Sequence, residues 1–216
     1  MKTPIAVREL LYQRWQSLVF SLAVPGDEGE GVWLDLVARY EEDGRYYHNL
    51  THIYHVLENI ELMRGEVVDE TAVYLAAWFH DVIYDPRRHD NERRSGEYGR
   101  QVLERWQLSV NLIHPVKLLI LATENHKPYH PQHLDCLILL DADLAILGSD
   151  PELYQEYALA IRQEYSFVPE ADYRKGRFKV LQAFINRPQI YYTDIMRTRL
   201  EVSARKNIKW ELNRIG

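Results

Sequence analysis

Thr71-Ala72-Val73-Tyr74-Leu75-Ala76-Ala77-Trp78-Phe79-His80-Asp81-Val82 decides how this chain folds. The segment is apolar on nearly every side, so at helical pitch it has no face to offer water. It belongs at the centre of a helical domain. The run then reaches an adjacent imidazole and carboxylate. An ionised carboxylate in such surroundings is costly unless it is paired or holds a cation. Two more residues of these kinds sit in similar apolar settings. His52 precedes the stripe Ile53, Val56, Leu57 and Ile60, and Asp143 lies within Leu139-Leu140-Asp141-Ala142-Asp143-Leu144-Ala145-Ile146-Leu147-Gly148. Two imidazoles and two carboxylates, with no thiolate, make a donor set for a buried divalent cation. On a regular helix His80 and Asp81 point about 100° apart. They can share one ion only at a helix end facing it, or with the ion in the angle between them.

Outward from this segment the periodicity stays helical. Asn91 to Trp106 reads as an amphipathic, mostly polar helix. Pro115 is placed to open Val116 to Glu124, and Pro131 to open a helix running to Leu147, with Gly148 as its stop. Asp150-Pro151 is a cap and first-turn proline for Glu152 to Tyr165. Ala171 to Asn186 and about Gln189 to Arg214 follow, divided by Pro188. Pro25 to Gly31, which mixes three glycines with acids, reads as a surface loop. No alternating strand pattern exceeds a few residues, and there is no repeat or flexible linker. The expected fold is all-α, one domain over 1–216. Its metal-binding core lies at about 45–148, with the helices of 150–216 packed on it.

Composition narrows the function classes. At 216 residues, with 46% hydrophobic and 27% charged, the chain can bury a full core and is not a disordered sequence. Met1-Lys2-Thr3-Pro4 leads into a mixed polar segment without a signal-peptide core, and no apolar stretch has bilayer length. Cys136 is alone, which excludes an intramolecular disulfide and fits a reducing compartment. A soluble cytoplasmic protein is expected, with no membrane partner. The net charge of −6 is uneven: Ser166 to Gly216 carry 11 Lys/Arg against 5 Asp/Glu, leaving 15 against 27 elsewhere. Arg174, Lys175, Arg177 and Lys179 read as a solvated helix face rather than a phosphate grip. The acidic balance and the lack of interleaved basic motifs disfavour nucleic acid.

The order His, then His-Asp, then Asp resembles the HD superfamily of metal-dependent phosphohydrolases. More narrowly, it is similar to a bacterial family of predicted HD phosphohydrolases of about this length. The matching pieces are Arg45-Tyr46-Tyr47-His48-Asn49-Leu50-Thr51-His52-Ile53 and Phe79-His80-Asp81-Val82-Ile83-Tyr84-Asp85. With them go Asp90-Asn91-Glu92-Arg93-Arg94-Ser95, Leu121-Ala122-Thr123-Glu124-Asn125-His126 and Asp141 to Gly148. Together they run over most of the chain. The resemblance implies an HD-type helical bundle and one or more divalent ions (Mn, Mg, Co, Ni, Zn or Fe). It makes His52, His80, Asp81 and Asp143 the ligands. His48, one turn before His52, competes for the first position, and Asp141 competes with Asp143 for the last. If Asp143 is the ligand, Asp141 is expected to orient a ligand or water.

The remaining site expectations are looser. Asp81 helps position water. His48 or His126 contacts phosphate or gives a proton to the leaving group, Glu92 orients water, Arg45 grips phosphate, and Tyr84 lines the site mouth. The activity implied is hydrolysis of a phosphoester in a small nucleotide-like molecule, with a second copy of the chain as a permitted partner. Two rival classes remain: a di-iron oxygenase that uses His126 as an extra ligand, and a non-catalytic metal- and nucleotide-binding regulatory module.

Overall fold

The computed structural model describes residues 3–216, so Met1 and Lys2 of the polar N-terminal stretch lie outside the described residues. Among the described residues the chain forms ten α-helices, two short 3-10 turns and no strand. The all-α expectation holds. No helix is long and apolar enough to cross a membrane.

The central segment becomes α4 (Glu70–Phe79), and seven of its ten residues are buried, from Ala72 and Val73 to Trp78 and Phe79. Asp69 caps its start by accepting from the Ala72 N–H. Packed around it are α3 (Leu50–Leu62), α5 (Asn91–Arg105), α6 (Val110–Ala122) and α7 (Leu134–Asp143). The α5–α6–α4 contact is close because Gly99 lies over Phe79, where a Cβ would come within 3.3 Å of the ring. Two helices cover the far side, α1 (Ile5–Ser21) and α2 (Gly26–Tyr40). Their Trp15 and Trp33 meet Trp78 edge-on, with ring centroids 5.4 and 6.1 Å apart.

The 3-10 turn Leu144–Gly148 carries the chain from α7 into α8 (Pro151–Glu164), α9 (Glu170–Ile185) and α10 (Asp194–Ile215). α10 seats against that turn at Gly148, where a Cβ would lie 2.5 Å from Leu200 Cβ, so only glycine allows the approach.

Several boundaries differ from the expectation, each for a local reason. Pro25 to Gly31 is the first turns of α2 and not a loop. Asp27 and Glu28 favour the helix N-terminus. The glycine at 29 is needed because its carbonyl takes the Trp15 Nε1–H at 2.9 Å and a Cβ would meet Val19 Cγ1 at 2.4 Å. α6 begins at Val110, capped by Ser109, so Pro115 sits inside it; the Asn111 carbonyl it leaves without a donor belongs to an exposed residue. Pro131 lies in a turn, and His133 caps α7 instead. The last helix starts at Asp194 because Thr193 caps it by accepting from Met196 N–H. α4 ends at Phe79 rather than Val82, which decides the geometry of the next residues.

Candidate metal centre

Three helix ends meet at one point. Asn49 caps α3 by accepting from the N–H groups of Thr51 and His52, which puts His52 in the first turn. His80 keeps its helical bond to the Ala76 carbonyl and then turns the chain, with Val82 N–H bonded to Phe79 O. His80 and Asp81 thus occupy a helix terminus, the first of the two arrangements that let neighbours share an ion. Asp143 is the last residue of α7.

Their polar atoms converge. His52 Nε2 lies 3.2 Å from His80 Nε2, 3.2 Å from Asp143 Oδ1 and 3.5 Å from Asp81 Oδ2. His80 Nε2 lies 3.2 Å from Asp81 Oδ2 and 3.6 Å from Asp143 Oδ1. The His80 Nδ1–H donates to Ala77 O at 2.9 Å, which turns the other ring nitrogen toward the group. Both histidine side chains are almost wholly buried, while Asp81 and Asp143 keep 14% and 11% exposure, facing a cavity. Burial disfavours charge on His80, but the Asp81 and Asp143 carboxylates outweigh it and raise its proton affinity well above the ordinary value. Against the same burial, His80 holds Asp81 well below the usual carboxylate range, and His126, His52 and His80 do so for Asp143.

This donor set fits a divalent cation. Among the described residues, His52, His80 and Asp143 form the one group of histidines and carboxylates close enough to hold an ion together. Spacings of 3.2–3.6 Å between donor atoms are what ligands about 2.1 Å from a shared cation would show. Asp81 Oδ2 falls within the same spacing from both imidazoles. Of the competing pairs, His52 and Asp143 lie in this group, and His48 and Asp141 do not.

The loop after Asp81 is pinned on every side. Arg45, expected to grip phosphate, is instead buried behind the site. Its guanidinium donates to the carbonyls of His48, Asp81 and Val82 at 3.1, 2.7 and 3.0 Å. An arginine so engaged ties the α3 approach to the His-Asp turn and has no fork left for a ligand. Ser95 exchanges bonds with both backbone groups of Ile83, and Asn91 does the same for Asp85.

His48 belongs to a second assembly, built on Glu164. This buried residue of α8 was not singled out in the sequence, where it reads as an ordinary polar helix position. One Glu164 oxygen accepts from the N–H groups of Tyr46, Tyr47 and His48 at 2.7–3.0 Å. The other takes His48 Nδ1 at 2.7 Å and the Tyr84 hydroxyl at 2.9 Å. The Tyr84 ring stacks on His48 with centroids 4.2 Å apart. Burial opposes ionisation of Glu164, yet these donors, led by His48, bring it down to about 2. Burial likewise opposes charge on His48, but Glu164 raises its proton affinity.

Asp141, expected to orient a ligand or water, is bonded to Tyr192 and Thr193. Fully buried, it accepts from Tyr192 N–H, Thr193 N–H and Thr193 Oγ1–H at 2.7–3.0 Å. It locks the entrance of α10 onto α7. The same segment steadies His126, whose carbonyl accepts from Tyr192 Oη at 2.9 Å. His126 has φ of +47°, a conformation rare outside glycine. That backbone presents its Nε2 to Asp143 Oδ2 at 3.0 Å, opposite the oxygen that faces His52 and His80.

Asp81 and Asp143 open onto a cavity of about 500 Å³. Tyr47, His48, Tyr84, Glu92 and His126 also line it; α8, α9 and the 3-10 turn supply most of the rest, largely aliphatic and aromatic. Burial raises the proton affinity of Glu92. Arg177, read from sequence as part of a solvated face, is buried and lines this cavity. Its guanidinium is clamped to Glu211 through two bonds of 2.7 and 3.0 Å. No family model matches the chain, and no curated protein matches it.

Proposed function

We propose that the protein is a metal-dependent hydrolase of small, nucleotide-sized phosphoesters. The observation that carries this reading is the convergence of His52, His80, Asp81 and Asp143 beside a cavity large enough for a small ligand. The order of these motifs, similar to that of HD phosphohydrolases, supports it. His52, His80, Asp81 and Asp143 would hold a divalent ion, which would supply Lewis acidity toward a phosphoryl oxygen and lower the pKa of a bound water.

In hydrolysis the water oxygen forms the new bond to phosphorus as the bond to the leaving oxygen breaks. One proton leaves the water and one reaches the leaving group. Glu92, on the cavity wall with its proton affinity raised, accepts the first. His48 donates the second: Glu164 holds its Nδ1, which leaves the other ring nitrogen for the leaving oxygen. His126 keeps Asp143 turned toward the two imidazoles.

The test is elemental analysis of protein purified without chelator, followed by a phosphomonoester and phosphodiester panel with that metal restored. Stoichiometric metal with turnover that His80→Ala abolishes supports the reading. Two irons without hydrolysis, or full turnover in the His80→Ala protein, overturns it.

A further inference from the structure

From the charge and apolarity of the cavity beyond the metal centre, we infer that the ligand carries a single phosphoryl group on an uncharged, aromatic or aliphatic body. The assignment takes the phosphoryl group from the hydrolase reading; the nature of the body rests on the cavity wall alone.

The wall offers no unspent cation. Among the described residues Arg177 is the only arginine or lysine lining the cavity, and Glu211 already occupies its guanidinium through two bonds. The remaining Arg177 contact goes to Tyr157 Oη at 3.2 Å. His48 is matched by Glu164 beneath it. A divalent ion would offset Asp81 and Asp143, leaving Glu92 and Asp172 as uncompensated acids on the wall. A di- or triphosphate, or an acidic tail, would place further negative charge beside these two acids, with no free lining cation to pair it. One phosphoryl group, held at the metal end, avoids that penalty.

What the wall does offer is apolar surface. Leu147, Ile161, Val168 and Phe184 face the space between α8, α9 and the 3-10 turn. Tyr157 and Tyr173 add ring faces; the Arg177 guanidinium lies 5.1 Å from the Tyr157 ring centroid and that of Arg162 4.6 Å from the Tyr173 centroid. Such a wall rewards area removed from water.

Calorimetric titration of the manganese-loaded full chain with non-hydrolysable phosphonates tests this without turnover. 1-Naphthylmethylphosphonate is expected to bind at least about 30-fold tighter than methylphosphonate. A carboxylate on the distal ring is expected to cost about tenfold or more. In Phe184→Ser the naphthyl preference should shrink several-fold. Equal affinity for the methyl and naphthyl probes, or tighter binding of the carboxylated one, overturns the assignment. Hydrolysis of 1-naphthyl phosphate is measured alongside. The naphthyl preference without turnover overturns the hydrolase reading and supports the cavity assignment. Turnover without the preference does the reverse.

Discussion

Two histidine–carboxylate groups stand side by side, with the His48 and His52 rings 5.9 Å apart, and they are built on opposite plans. In the His48–Glu164 group every carboxylate oxygen is met by donors: three backbone N–H groups on one side, an imidazole and a phenol on the other. In the His52–His80–Asp81–Asp143 group, imidazole nitrogens and carboxylate oxygens crowd to 3.2–3.6 Å. Asp143 Oδ1 faces only those two ring nitrogens, with no backbone N–H or hydroxyl donor. The first group is complete as it stands; the second has donor atoms aimed at one another and at a common point. A buried carboxylate met by backbone and hydroxyl donors is fixed in place, whereas one met by imidazoles alone, within a cluster of donor atoms, could take a cation.

The sharpest way to break the comparison is to remove one member of each group. Asp143→Asn or His80→Ala should abolish stoichiometric metal and lower phosphoesterase turnover by about 10³-fold or more, with helicity retained. Metal analysis, turnover and circular dichroism on the same preparations check this. Retention of one ion per chain in either variant would remove the distinction between the groups.

Glu164→Gln should leave the metal content intact and act on stability instead. Folding brings Glu164 from an ordinary 4.5 to about 2, worth about 3 kcal/mol. The unfolded chain binds more protons between those values. The contribution is therefore complete above pH 4.5 and is lost as the pH falls through about 2. Denaturant unfolding at pH 7 should show a loss near that size, and the acid limb of the wild-type stability profile should flatten in the variant. A variant as stable as wild type at pH 7 would mean that the donors around Glu164 contribute nothing.

The metal itself should discriminate between the groups by mass action. Free ion at about 100 times its dissociation constant stabilises the folded chain by about 2.7 kcal/mol, or roughly 5–10 °C in Tm for a chain of this length. Thermal melts with and without chelator should show this shift in wild type and in Glu164→Gln, and no shift in His80→Ala. A shift that survives His80→Ala would place the ion elsewhere.

The same contrast explains what the sequence made legible. Local signals were strong where one residue type does one job. The all-round apolar run is a buried helix as far as Phe79, and the His-Asp pair that follows it stands out because a carboxylate there is costly unless it is paired or holds a cation. Long-range partners were not legible. Glu164 lies 116 residues from His48 and looks like any polar helix residue until the fold brings them together. Arg45 looks like a phosphate grip because its charge is visible in sequence, whereas the three carbonyls that occupy it are not. Arg177 looks solvated for the same reason: Glu211, 34 residues on, is what lets it be buried. Gly29 misled in the other direction, since a glycine that admits Val19 against a helix resembles a glycine in a loop.

Asp141 and Asp143 carry the comparison down to two residues of one helix, and there the expected effect is smallest. Burial raises Asp141 to about 6, although the N–H and hydroxyl donors of Tyr192 and Thr193 favour its ionised form. Because its folded value lies above the unfolded one, its contribution to stability is greatest below pH 3.8 and is lost as the pH rises through about 6. Asp141→Asn removes a charge that burial disfavours at pH 7 and weakens an acceptor that α10 uses. The two effects oppose, so the net loss should be about 1 kcal/mol. The variant should keep its metal, and the change in stability between pH 4 and 7 should be smaller than in wild type. If Asp141→Asn lost the ion as Asp143→Asn is expected to, the two carboxylates would belong to one site and the contrast between a saturated and an unsaturated carboxylate would fail on α7.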